Sequence, residues 1–117
     1  MKLCGVCITT NNAPRLAAFY EIVFQEAPFV ESSHYDFGKD AQLSVYDPKD
    51  ADFCHGKNLS LMYYVPDLMA EYHRLLEEIP AIEITSPPER RPWGAFSFWF
   101  LDPDGNTVSF IEETIEG

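Results

Sequence analysis

FLDPDGNTVSF, residues 100–110, reads as two strand ends joined by a tight turn. The Asp102 side chain can accept from backbone N–H groups ahead of it, Pro103 presets φ at the second turn position, and Gly105 takes the positive φ that closes a type I turn with a bulge. The flanking runs AFSFWFL (95–101) and TVSFI (107–111) are rich in aromatic and β-branched residues and free of Gly and Pro. A β-hairpin with both strands largely buried follows. Ser109, a hydroxyl between Val108 and Phe110, is the residue that this hairpin leaves to be explained.

Reading back from the hairpin, the proline-rich SPPERRPWG (86–94) is expected as an exposed loop and AIEIT (81–85) as a short strand. Before them Pro66 and Asp67 open a helix whose apolar stripe is Leu68, Tyr72, Leu75, Leu76 and Ile79, and SLMYYV (60–65) precedes it as a strand. The segment DPKDADFCHGK (47–57) is polar and broken by Pro and Gly, so it reads as a central loop.

The same order stands on the other side of that loop. Residues 2–10 alternate as a strand, Asn11 or Asn12 caps a helix with Pro14 in its first turn, and Leu16, Phe19, Tyr20, Val23 and Phe24 form its stripe before Pro28 ends it. PFVES, HYDFG and AQLSVYD follow as a small meander. Strand, helix, then three strands thus occurs twice, with a period of roughly 50 residues. The expected fold class is α+β: two βαβββ modules, about 1–50 and 58–117, making one domain with a curved, mostly antiparallel sheet and both helices on its convex face.

Composition bounds the partners. A chain of 117 residues with 46% hydrophobic and 15% aromatic residues fills one domain's core. Nineteen acidic residues against eight basic give a net charge of −11, which disfavours nucleic acid and anionic membrane surfaces and favours neutral or cationic small partners. No run approaches the roughly 18 apolar residues of a membrane span, and the apolar part of MKLCGVCITT is short for a signal peptide. Three Cys do not make a disulfide framework, so a cytoplasmic location is expected.

The paired modules, with AAFYEIVF (17–24), YYVPDLMAEYHRLLE (63–77), a WG pair and the DPDGN turn in that order, resemble the vicinal oxygen chelate superfamily. That group contains glyoxalase I, extradiol dioxygenases and the bleomycin-resistance proteins. The resemblance implies a divalent metal held by His, Glu or Gln from the first strand of each module and from the strand after the DPDGN-type turn. Here the matching positions are Gly5, Ser60 and Ser109. Glycine has no side chain and neutral hydroxyls are poor ligands beside imidazole or carboxylate, so no metal and no other cofactor is expected.

The remaining chemistry is sparse. CGVC (4–7) has redox-motif spacing, but residues three apart on a strand point to opposite faces, so Cys4 and Cys7 read as unrelated buried thiols. Cys54 and His55 are an isolated pair, His34 and His73 read as partly exposed, and Arg90 and Arg91 belong to the proline-rich loop. With Val6, Ile8, Leu61, Tyr63, Val65, Val108 and Phe110 turned to the helices, the concave face carries Cys7, Thr9, Met62, Tyr64, Ser109 and Ile111, alongside Ser60. Phe37, Tyr46, Trp93 and Trp99 are expected to join them in an aromatic-lined cleft suited to a planar, amphipathic or cationic organic molecule. Metal-free binding by a homodimer, as in the bleomycin-resistance branch, is the leading functional reading. A metal-dependent lyase, isomerase or dioxygenase of the glyoxalase type is one alternative, and a dimer without a ligand is the other.

Overall fold

The computed structural model describes Met1, residues 3–49 and residues 59–113. The chain divides into two compact units, Met1–His55 and Gly56–Gly117. In the first, β1 (Val6–Thr9), α1 (Ala13–Phe24), β2 (Phe29–Glu31), β3 (His34–Phe37) and β4 (Leu43–Tyr46) follow one another; in the second, β5 (Ser60–Val65), α2 (Leu68–Glu78), β6 (Glu83–Arg90), β7 (Phe96–Leu101) and β8 (Thr107–Glu112) do the same. The sheet orders correspond strand for strand, β1-β4-β3-β2 and β5-β8-β7-β6. In each module the first strand pairs parallel with the last, and the other two seams are antiparallel. Both modules are therefore βαβββ, and the α+β class expected from the sequence holds.

The helices begin where the cap residues say they should. Asn12 Oδ1 accepts from the Arg15 N–H at 3.2 Å with Pro14 in the first turn, and Gln25 in the left-handed region (φ 53°) ends α1. Leu16, Phe19, Tyr20 and Val23 are buried against β3 and β4. At α2, Asp67 Oδ1 accepts from the Ala70 N–H at 3.1 Å, and Glu112 Oε2, reaching from β8, accepts from the Leu68 N–H at 3.1 Å. Leu68 and Leu75 are fully buried, but Leu76, expected in the same stripe, is 39% exposed. The buried face of α2 runs through Leu68, Tyr72 and Leu75, with Tyr72 set against Phe98 at 5.2 Å. The core beneath is an aromatic cluster in which Phe98, Phe100 and Phe110 lie 5.3–5.8 Å apart.

Two expectations are corrected. Phe37 lies not on the open face but in the core, with 0% exposure and its ring edge-on to Phe24 of α1 at 5.5 Å. On β3, Tyr35 and Phe37 pair with the buried Val45 and Leu43, so Asp36 and His34 take the outer face. The proline-rich run is not a loop, since Ser86–Arg90 continues β6. A sheet-edge strand has a free side for residues that donate no hydrogen bond, and Pro87 and Pro88 fall where the pairing with β7 slips between Ser86 and Glu89.

The turns on either side of β7 share one construction. Asp102 O accepts from the Gly105 N–H at 2.9 Å, and Asp102 N–H donates to Asn106 O at 2.9 Å. Arg91 O likewise accepts from the Gly94 N–H at 2.9 Å, and Arg91 N–H donates to Ala95 O at 2.7 Å. Pro103 and Pro92 occupy the second turn positions, while Gly105 (φ 87°) and Gly94 (φ 98°) supply the positive φ. Among the described residues no helix is long and apolar enough to cross a membrane.

Candidate functional site

On the second module the face away from α2 carries a half-open cleft of about 140 Å³. Alternation along the strands builds it. Leu61 and Val65 of β5 are buried, which turns Ser60, Met62 and Tyr64 outward. The ladders then set Met62 beside Ser109, Ser109 beside Trp99 and Trp99 beside Ser86, a row crossing all four strands. The neighbouring row runs from Tyr64 through Ile111 to Ser97 and Glu89. Ser60, Met62, Trp93, Trp99, Ser109 and Ile111, all anticipated for the cleft, line it together with Ala95 and Ser97. Tyr64 is on the same face, 73% exposed and outside the lining.

The other anticipated residues stand on the first module. Cys7 pairs with Ser44 and Thr9 with Tyr46 across β1 and β4, so Cys7, Thr9 and Tyr46 share that module's outer face. Tyr46 meets the His34 ring edge-on at 5.7 Å, and the Ser44 hydroxyl donates to Asp36 Oδ1 at 3.1 Å. Cys4 and Cys7 are exposed rather than buried. With one hydrophobic face turned to α1, β1 leaves its alternate residues to solvent and Cys7 falls on that side, while Cys4 lies ahead of the strand. The partial burial that Cys7 does have pushes its thiol pKa up. His34 and His73, expected to be partly exposed, are both exposed, and Cys54 and His55 lie outside the described residues.

Arg91 is what sequence reasoning misses. The proline-rich run around it reads as an exposed loop, yet only 5% of Arg91 is exposed. Its guanidinium donates from Nε to Ser97 Oγ at 2.8 Å, from Nη2 to Ser97 O at 3.1 Å and from Nη1 to Ser86 Oγ at 2.9 Å, and Nη1 also pairs with Glu89 Oε1. The guanidinium carbon lies 4.2 Å from the Trp99 ring centroid, over the ring. A buried charge persists only when it is paired and hydrogen-bonded, and the slipped edge strand supplies those partners. The clue in the sequence is Ser86, just ahead of PPERRP, which acquires meaning only once the strand register is known.

The cleft does not fit the divalent metal that the resemblance implies. Ser60 and Ser109 bring hydroxyls, and the rest of the lining is hydroxyl, thioether, indole and alkyl. Among the described residues no group of three or more His, Cys, Asp or Glu side chains is arranged to hold a metal ion. At Gly5 the obstacle is backbone geometry. Its φ is +154°, and a Cβ there would sit 3.3 Å from Gln42 O, the carbonyl that accepts the Val6 N–H. Ser109, 5% exposed between Met62 and Trp99, is a wall of the cleft rather than a ligand.

No family model and no curated protein matches the sequence. Solved structures do match. A glyoxalase/bleomycin resistance protein/dioxygenase from Nocardioides aligns over 100% of this chain and 87% of its own, with TM-score 0.76 and 20% identity. A glyoxalase-related enzyme from Fulvimarina pelagi aligns over 97% and 89%, with TM-score 0.77 and 17% identity. A lactoylglutathione lyase from Agrobacterium tumefaciens aligns over 99% and 96%, with TM-score 0.71 and 21% identity. These likenesses establish the fold, the one that the order of the sequence motifs resembles.

Proposed function

We propose that this chain, which has the fold of the glyoxalase/bleomycin resistance/dioxygenase superfamily, binds a small planar organic molecule without a metal, in a cleft completed by a second copy of itself. The observation that carries this reading is the lining of the second module's cleft: two indoles, a thioether and three hydroxyls, with no imidazole, thiol or carboxylate among them. Such a surface offers stacking and a few orienting hydrogen bonds. It offers no group with the basicity for proton abstraction and none that ligates a divalent ion well.

The size of the cleft supports the second copy. About 140 Å³ is well below the roughly 300–1,000 Å³ of pockets that bury a drug-sized ligand. Met62, Tyr64 and Trp93 stand 66–73% exposed around it, an apolar grouping of the kind that marks an interaction surface. Sequestration of a planar antibiotic or metabolite is the role this combination serves.

The test joins elemental analysis with thermal shift. The purified protein is expected to carry no stoichiometric metal and to be stabilised by planar aromatic compounds, by about 2.7 kcal/mol at 100 times Kd. One equivalent of zinc, nickel, iron or manganese bound through nitrogen and oxygen would overturn the metal-free reading. Absence of stabilisation across a panel of planar compounds would overturn the binding reading.

A further inference from the structure

We infer that Arg91, acting through Trp99, sets the charge selectivity of the cleft, so that it takes neutral planar aromatics in preference to cationic ones. The inference rests on the cleft being a binding site. It goes beyond that reading by naming the ligand class and the residue that determines it.

The net charge of −11 favours cations at long range, but the segment that carries Arg91 and Trp99 has the opposite balance. Residues 86–99, which form the end of β6, the turn and the start of β7, carry one carboxylate, Glu89, and two guanidinium groups, Arg90 and Arg91. Among the described residues no acidic side chain lines the cleft. Arg91 is held in place by Ser86, Ser97 and Glu89, and it covers one face of the Trp99 ring at 4.2 Å, while Trp99 itself contributes to the cleft lining.

An indole attracts cations because its faces carry negative electrostatic potential. Where a guanidinium already sits on one face, that potential is largely neutralised and the ring electrons are drawn toward Arg91. A second cation on the ring would also meet Arg91 through the thickness of the indole, with the ring rather than water between the two charges. Glu89 offsets part of this charge, but its side chain is 59% exposed, whereas that of Arg91 is 4% exposed. The carboxylate is therefore screened more strongly than the guanidinium. A neutral aromatic loses nothing by the arrangement and meets a ring fixed in orientation. Arg91 is thus a positioning residue that also sets the ring's electrostatics.

Two planar two-ring probes of similar size test this by calorimetric titration in 0.15 M salt: neutral 2-naphthol and cationic N-methylquinolinium. The wild-type protein is expected to bind 2-naphthol about 10-fold more tightly, the order of magnitude of a single cation–π interaction. Arg91→Met should bring the two probes to within about 3-fold of each other, and Arg91→Lys, which keeps the charge, should retain the wild-type order. Equal or tighter binding of the cation by the wild type would overturn the inference and leave the binding reading standing. An unchanged ratio in a folded Arg91→Met variant would also overturn it, and if that variant does not fold the wild-type ranking decides. Failure of both probes to bind would overturn this inference, and the proposed function would then fall only if the wider panel of planar compounds also failed to stabilise the protein.

Discussion

Ser109 and Gly5, the positions that the resemblance in sequence would match to metal ligands, are held as they are for different physical reasons. Ser109 is a buried wall residue, so Ser109→Glu puts a carboxylate into a site 5% exposed between a thioether and an indole. A loss of about 1–3 kcal/mol in urea denaturation is expected, without measurable divalent-metal affinity, because a lone carboxylate gives an ion too few ligands. Gly5 is required by its backbone: at φ +154° with Gln42 O 3.3 Å from any Cβ, Gly5→Ala should cost about 1–3 kcal/mol in the same measurement. Gly5→His, the change that would restore a ligand there, carries the same strain before any metal is considered. The place of Ser109 is legible in the sequence because strict alternation from Val108 and Phe110 leaves one outcome. The burial of Arg91 is not, because an arginine beside proline in a polar run resembles a solvated turn, and the partners that bury it are reached only through the slipped pairing of β6 with β7.

At the scale of elements, whatever rests on local chemistry is readable and whatever rests on a neighbouring strand is not. Caps, turn residues and helical periodicity locate α1, α2 and the Asp102–Asn106 turn. Leu76 and Phe37 depart from expectation because the limits of a helix's buried stripe and the phase of a four-residue strand depend on what packs against them. The start of α2 is the junction where both kinds of information meet. Asp67 caps it locally, while Glu112 caps it from β8. Asp67→Ala should cost about 1 kcal/mol. Glu112→Ala should cost a similar amount even though it lies far away in sequence, since it leaves the Leu68 N–H, at a fully buried residue, without that partner. Chemical denaturation of the two single variants checks both values. A cost confined to Asp67 would mean that the strand contributes nothing to the helix end.

For the whole molecule, the exposed Met62, Tyr64 and Trp93 make self-association the expected state, and sedimentation at micromolar concentration should give a dimer. A monomer under those conditions would leave the cleft half-walled and remove the shared-site model. The strand order has a further consequence, for the sequence of folding events. In each module the parallel seam joins the first strand to the last, as in Met62 with Ser109 or Cys7 with Ser44, while the antiparallel seams close over short turns. Closing a short loop costs little chain entropy and closing a long one costs more, so hairpin zippering belongs before the rate-limiting barrier and closure of the parallel seam after it. Gly105→Ala, which strains the turn between β7 and β8 at φ 87°, should therefore act mainly by slowing refolding, whereas Leu61→Ala on the closing strand should act mainly by speeding unfolding. The two arms of a chevron plot separate these effects, and the reverse assignment would mean that the nucleus forms around β5 instead.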